Sequence, residues 1–259
     1  CMKFSIITPT FKRKESLVRA VQSLLNQTYT DWEMIIVNDS PNDDAYFSFA
    51  SSINDPRIHY HVNLINEGVN YTRNYGLSKV SADSRWIIFL DDDDYFSPDT
   101  LQTFYNLILI NGDEKWFVTN RALKNGNPVT RFPQSETSYT YAWQYLILRQ
   151  LKGDATHCIE TKLLTHNNIL FSKYVKQGEE WFFFYQVGLY FKMYYYDHNS
   201  TITDGYDTAN GLNFRKRSFR TRYETILQLF YEGGEKKIIR LSFLVYIAIR
   251  IIGLLIPKK

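Results

Sequence analysis

An α/β fold with a mostly parallel central sheet flanked by helices is the architecture this chain predicts, and three observations carry it. Short apolar runs alternate with stretches of helical periodicity from Phe4 to Leu90, a pattern of parallel strands joined by crossover helices. Those runs end at polar residues, Thr8, Asp39 and Asp91, and ligands of such sheets bind beyond the carboxyl ends of the strands. At 259 residues with 44% hydrophobic content, the chain is long enough to bury a substantial core, which excludes disorder.

Taken in order, Phe4 to Thr8 is a short buried strand. Glu15 to Asn26 follows as a helix, with Leu17, Val18, Val21, Leu24 and Leu25 at helical spacing. Trp32 to Val37 is a second strand, closed by Asn38, Asp39 and Ser40 and the turn formers Pro41 and Asn42. Ile58 to His61 gives a third strand, Tyr71 to Val80 a helix, and Trp86 to Leu90 a fourth strand. That last strand drives Asp91, Asp92, Asp93 and Asp94 out of its end. Four adjacent carboxylates repel one another, and a fold tolerates them most readily where a cation neutralises them. Hard oxygen ligands of this type suit Mg²⁺ or Mn²⁺ shared with a substrate phosphate, whereas an unliganded run is a solvated acidic turn.

The segment NEGVNYTRNYGL, Asn66 to Leu77, forms a turn and then a helix. Arg73 in that helix is a cation whose planar fork suits phosphate, and Gly76 permits close backbone packing. An exposed Arg and a packing Gly are the plainer alternative. Further on, QGEEW carries Glu179 and Glu180 before an aromatic helical stretch. Carboxylates at a helix start are stabilised in their charged form, which suits a general base but also serves ordinary helix stability.

Together these segments resemble the inverting glycosyltransferases of family 2 with the GT-A fold. The matching stretches are FSIITPTFKR, SLLNQTYTDWEMIIVNDS, NEGVNYTRNYGL, FLDDDDYF and QGEEWFFF, in the family's order. The resemblance implies a nucleotide-diphosphate sugar donor, UDP-linked, and transfer to a hydroxyl of a glycan or lipid-linked saccharide in surface polysaccharide or lipopolysaccharide synthesis. It implies a GT-A unit over residues 2–212, with a nucleotide-sugar half (2–115) and an acceptor half (116–212). Thr8 and Pro9 are expected to border the nucleoside pocket, Asp39 to accept from the uracil ring, and Arg73 to lie near the diphosphate. Asp91 and Asp93 match the D-x-D motif, with Asp93 the direct metal ligand and Asp92 beside the donor; a wholly acidic run also lets Asp92 and Asp94 be read into the motif. Glu180 corresponds to the base, a Glu where the family usually has Asp, and Glu179 to its orienting neighbour. Family members often carry a His after the acid pair that approaches the metal, and His198 is the nearest candidate. Displacement in line then inverts the anomeric centre, with the metal and Arg73 stabilising the leaving diphosphate and Glu180 taking the proton.

The stretch Trp116 to His198 is aromatic and weakly patterned. Trp143, Tyr145, Trp181 and Tyr194 to Tyr196 are expected to be chiefly core, with stacking on sugar faces as the alternative. Asp204 to Leu212, rich in Gly, Asp and Asn, suggests a lid. Residues 213–259 change character: Arg215, Lys216, Arg217, Arg220 and Arg222 are a basic cluster, and Leu241 to Ile256 is apolar apart from Ser242, Arg250 and Gly253. As a helix this stretch spans about 24 Å against a roughly 30 Å bilayer core, and Arg250 opposes crossing. It is expected to lie in an anionic membrane surface, flanked by Lys236, Lys237, Arg240, Lys258 and Lys259. A helix packed on the catalytic unit is the alternative.

The remaining composition narrows the class. A net charge of +3 gives no ground for a nucleic-acid partner. Cys1 and Cys158 are the only cysteines, which excludes a disulfide framework or a cysteine-built zinc site and fits a reducing compartment. Cys1 precedes Met2, so Met2 is the expected natural start, and no secretory leader is expected after it. A cytoplasmic protein, peripheral on the inner face of the cell membrane, is the expected setting. Two rivals stand beside a transferase. A haloacid-dehalogenase-type phosphohydrolase also puts aspartates after an apolar strand, but Tyr95 and Phe96 do not fit its turn. A silent nucleotide-sugar-binding module would not need Glu180.

Overall fold

The computed structural model describes residues 2–204 and 218–255. Its strands are β1 (Lys3–Thr10), β2 (Trp32–Asn38), β3 (Ile58–Val62), β4 (Ser84–Phe89), β5 (Asp94–Phe96), β6 (Trp116–Leu123), β7 (Thr137–Tyr139), β8 (Ala155–Glu160) and β9 (Met193–Thr203). The helices are α1 (Lys14–Leu25), α2 (Asp44–Ser52), α3 (Val69–Leu77), α4 (Thr100–Ile110), α5 (Thr161–His166), α6 (Trp181–Val187), α7 (Phe219–Glu235) and α8 (Leu241–Leu255), with a π-helical turn at Tyr141–Ile147.

The sheet runs β3-β2-β1-β4-β8-β6-β9-β5, and β7 also pairs with β9. Strands β3, β2, β1 and β4 are parallel, as the alternating pattern predicts. The expectation of a mostly parallel sheet is corrected beyond them. Strand β8 enters antiparallel beside β4 and β6, and β9 is parallel to β6 but antiparallel to β5 and β7, so the sheet is mixed. No sequence periodicity marks that half, because its aromatic residues are set by packing on neighbouring elements rather than by one exposed face.

Both faces of the parallel half are covered, which explains its unbroken apolar runs. Ile6, Met34, Ile36 and Ile88 face one way and pack with Leu17, Leu24, Leu101 and Phe104 of α1 and α4. Ile7, Ile35, Val37 and Ile87 face the other way, toward a core containing Phe171, Phe183, Leu229 and Phe243. Each such side chain contributes about 1.5–3 kcal/mol by leaving water. Gly76 of α3 is required by this packing, since a Cβ there would lie 2.5 Å from Ile7 Cγ2.

The apolar tail helix belongs to this second core. Phe243 and Ile247 of α8 and Ile226 and Leu229 of α7 are buried in it. The Tyr185 and Ser242 hydroxyls are 3.0 Å apart. Packing of the tail on the catalytic unit, the alternative reading of its sequence, accounts for these contacts. No helix among the described residues is long and apolar enough to cross a membrane. Arg215, Lys216, Arg217, Ile256, Lys258, Lys259 and the expected lid after Asp204 lie outside the described residues.

Candidate active site

The carboxyl ends of β1, β2 and β4 meet at one crevice. Strand β1 continues past the expected end at Thr8 to Thr10, where its carbonyl accepts from Asp39 N–H at 2.8 Å. Leu90 N–H donates to Ile7 O at 3.1 Å, which delivers the acid run to the same edge. Thr8 is wholly buried with no partner for its hydroxyl among the described residues, and Pro9 is buried beside it. Both are thus buried near the carboxyl end of β1.

Asp39 is buried and organises the turn ahead of α3. Its Oδ1 accepts from Asn63 Nδ2 and Glu67 N–H, and its Oδ2 from Gly68 N–H, each at 2.8 Å. A carboxylate offers about four acceptor positions, so capacity remains on Oδ2. Gly68, at φ 90°, opens α3 where a Cβ would stand 2.6 Å from Lys176 O. Asn70 completes the join by donating to Val175 O at 2.7 Å and Gly178 O at 3.0 Å.

The acid run divides among three arginines. Arg73, buried on α3, donates from Nη2 to Asp91 Oδ1 at 2.7 Å and from Nη1 to Glu180 Oε1 at 3.0 Å. Burial works against its charge, but the two carboxylates more than offset this and hold the guanidinium charged. Arg121 of β6 pairs with Asp94, approaches Asp91 at 3.6 Å, and reaches Asp154 at 3.5 Å. Arg13 pairs with Asp93 and lies 3.3 Å from Asp92. Burial pushes Asp92 and Asp94 up to about 7, against the pull of Arg13 and Arg121 respectively. At Asp91 burial acts in the same sense, yet Arg73 and Arg121 hold the carboxyl down at about 2.

Asp91, Asp93 and Asp94 offer oxygens within 4.8 Å of one another. Three hard anionic donors at that spacing fit a divalent cation of the Mg²⁺ or Mn²⁺ kind. Asp92, expected from the resemblance beside the donor, is buried beside Arg13 and Phe11 N–H. His198 is not a member of the carboxylate cluster: its ring nitrogens lie 2.9 Å from Ser200 Oγ and 3.1 Å from Asp99 Oδ2. Asp94 was left open by the sequence and enters the cluster because β5 begins there, paired with Thr203.

Glu180 and Glu179 diverge. The Glu180 side chain does not cap α6; it turns to Arg73 and keeps 47% of its surface in solvent, so an incoming hydroxyl has access to it. Glu179 stands at φ 63° directly after Gly178 at φ 71°. Its carboxylate accepts from Trp181 Nε1 at 2.6 Å and pairs with Arg250 of α8. Of the aromatics, Trp181 and Tyr195 are core, while Trp143 is exposed. His157 is half-buried against Phe184: it accepts from Trp116 Nε1 at 3.1 Å, and burial lowers its pKa to about 3. Arg13, Arg121 and Arg250 were not singled out for the site by their sequence. Arg13, three residues beyond the end of β1, carried a signal in its position.

Residues 5–172 match the Glycosyl transferase family 2. The putative colanic acid biosynthesis glycosyl transferase WcaA of Escherichia coli K12 is 40% identical over 101 residues, 39% of this chain and 36% of that protein. The E. coli UDP-Glc:alpha-D-GlcNAc-diphosphoundecaprenol beta-1,3-glucosyltransferase WfgD is 29% identical over 135 residues, 51% of this chain and 52% of that protein. The match thus spans between about a third and a half of these curated relatives. Residues 1–349 of S. aureus TarS, solved with UDP-GlcNAc, superpose with a TM-score of 0.73 at 21% identity, over 94% of this chain and 72% of that one. That likeness shows a GT-A-like α/β fold.

Proposed function

The chain belongs to glycosyl transferase family 2, and on that premise we propose that it is a metal-dependent, inverting glycosyltransferase using a nucleotide-diphosphate sugar, UDP-linked, with a glycan or lipid-linked saccharide as acceptor. The observation that carries this reading is Arg73, whose two terminal nitrogens tie Asp91 of the carboxylate cluster to Glu180. One guanidinium thus sets the distance between a cation-binding edge and an accessible carboxylate. Asp91, Asp93 and Asp94 would hold Mn²⁺ or Mg²⁺, which supplies positive charge for the leaving diphosphate when bound. Asp39 retains acceptor capacity for a base N–H, and Arg73 lies where the diphosphate would follow. The acceptor hydroxyl attacks the anomeric carbon as the bond to diphosphate breaks. Its proton passes to the Glu180 carboxylate.

The names of WfgD and TarS support the donor class, since one is a UDP-Glc transferase and the other was solved with UDP-GlcNAc. Screening nucleotide sugars for Mn²⁺-dependent thermal stabilisation tests the donor, because a ligand of the native state raises its apparent stability. Stabilisation by a UDP-sugar and a product of inverted anomeric configuration are expected; a retained configuration overturns the mechanism.

A peripheral membrane setting is part of the proposal. Phe219, Tyr223 and Tyr231 of α7 and Leu241, Ile252 and Leu255 of α8 are exposed, and Arg220, Arg222 and Arg240 lie on the same two helices or at their ends. Apolar insertion beside basic residues suits an anionic lipid surface. Flotation with phosphatidylglycerol vesicles is expected, and its loss in a Leu241→Glu, Leu255→Glu variant; flotation unaffected by either change removes α8 as the contact.

A further inference from the structure

Helix α8 meets the acid pair through one face. Phe243, Tyr246 and Arg250 are spaced i, i+3 and i+7, which sets them on one helical stripe. All three close on Trp181, the residue after the pair: ring centroids are 5.8 Å from Phe243 and 4.8 Å from Tyr246, and the Arg250 guanidinium carbon is 5.7 Å from the indole centroid. Arg250 then grips both oxygens of Glu179, with Nη2 to Oε1 at 2.9 Å. The Glu179 side chain is only 11% exposed, so this is a largely buried, two-pronged pair.

The pair is made at a strained place. Glu179 adopts a left-handed backbone, which disfavours residues with a Cβ and persists only where surroundings impose it. The next residue is Glu180. A chain that relaxed to an ordinary conformation at position 179 would re-aim the Glu180 carboxylate away from Arg73. The Trp181 indole and Arg250 both hold the Glu179 side chain in that turn.

We propose that Arg250 is a positioning residue, which locks Glu179 in its left-handed turn and so aims Glu180 at Arg73 and the acceptor. The tail helix is thereby part of the transfer apparatus, whatever its outer face binds. This rests on Glu180 being the base.

Arg250→Met and Arg250→Lys in the full chain test it, alone and in a Glu179→Gln background, with UDP plus Mn²⁺ as the binding probe and UDP-glucose and UDP-GlcNAc as donor probes. Arg250→Met is expected to lower kcat about tenfold or more while UDP affinity stays within about twofold, and Arg250→Lys to restore part of the loss. Residues acting through one contact are non-additive, so Arg250→Met should cost less than about twofold further once Glu179 is Gln. Independently of turnover, the Trp181 indole N–H resonance should move in Arg250→Met and hold in Arg250→Lys. Losses that multiply in the double variant, UDP affinity falling in step with kcat, or an unmoved Trp181 resonance each overturn the proposal. Full transfer by Glu180→Gln would instead overturn the assignment of the base, leaving the Trp181 result to judge Arg250 by itself.

Discussion

Asp39 and Asp91 lie within two residues of the ends of the parallel strands β2 and β4, whereas Glu179 and Glu180 arrive on an irregular segment, residues 167–180, between α5 and α6. The first pair is placed by strand register, which fixes each residue within a few residues of a ladder. The second is placed by distant partners: Asn70 and Arg73 of α3 on one side, Arg250 of α8 on the other. Register is local and robust, but tertiary clasps transmit change. Substitution of Asp93, the half-exposed carboxylate of the acid run, should therefore act on ligand binding with little effect on stability, while substitutions far from Glu180 should reach it.

The sharpest separation is expected from Phe243→Ala. Phe243 is fully buried among Trp181, Tyr185 and Phe182. Its truncation should cost about 3–5 kcal/mol in urea unfolding. A cost near zero would show that α8 is not held on this core. Asp93→Ala is the converse case, at a half-exposed carboxylate outside the core. Mn²⁺ affinity should fall by about 100-fold or more with the unfolding midpoint preserved, as calorimetry and denaturation can check together. Gly68→Ala strikes the glycine at which the start of α3 meets the 175–178 segment, since the added Cβ would meet Lys176 O. A loss of about 1–3 kcal/mol is expected, with transfer reduced as the 175–178 segment shifts.

The smallest effect is a pH dependence. Burial raises Asp94 to about 7, so below that pH the carboxyl holds a proton that a cation must displace. Asp91, at about 2, is already ionised. Mn²⁺ affinity should fall about tenfold per pH unit below 7 and level off above it, with proton release seen in calorimetry. An affinity flat from pH 5 to 8 would remove Asp94 from the site.

This contrast also explains what the sequence could reveal. Apolar runs ending in Asp39 and Asp91 advertised both the parallel sheet and the crevice, because burial on two faces leaves an unbroken hydrophobic signature. Strands β6 to β9, in the mixed half of the sheet, gave no such signal. Arg121 lies on β6 and reaches Asp94 only through that part of the sheet, so nothing local marked it. Arg250 was visible as the lone charge in an apolar helix, where it argued against membrane crossing; its partner, 71 residues earlier in the chain, was not. Asp92 and Asp93 are adjacent in sequence and share Arg13, yet Asp92 is buried under the end of β1 while Asp93 is half-exposed.

The most direct measurement compares Glu180→Gln with Glu179→Gln in transfer and in UDP binding with Mn²⁺. Glu180→Gln retains size and its hydrogen bond to Arg73 but removes the proton acceptor, so transfer should fall by about 100-fold or more with UDP affinity preserved. Glu179→Gln should lose less, acting only through the aim of its neighbour. Near-normal transfer by Glu180→Gln alongside a larger loss in Glu179→Gln would contradict the account and reverse the two roles.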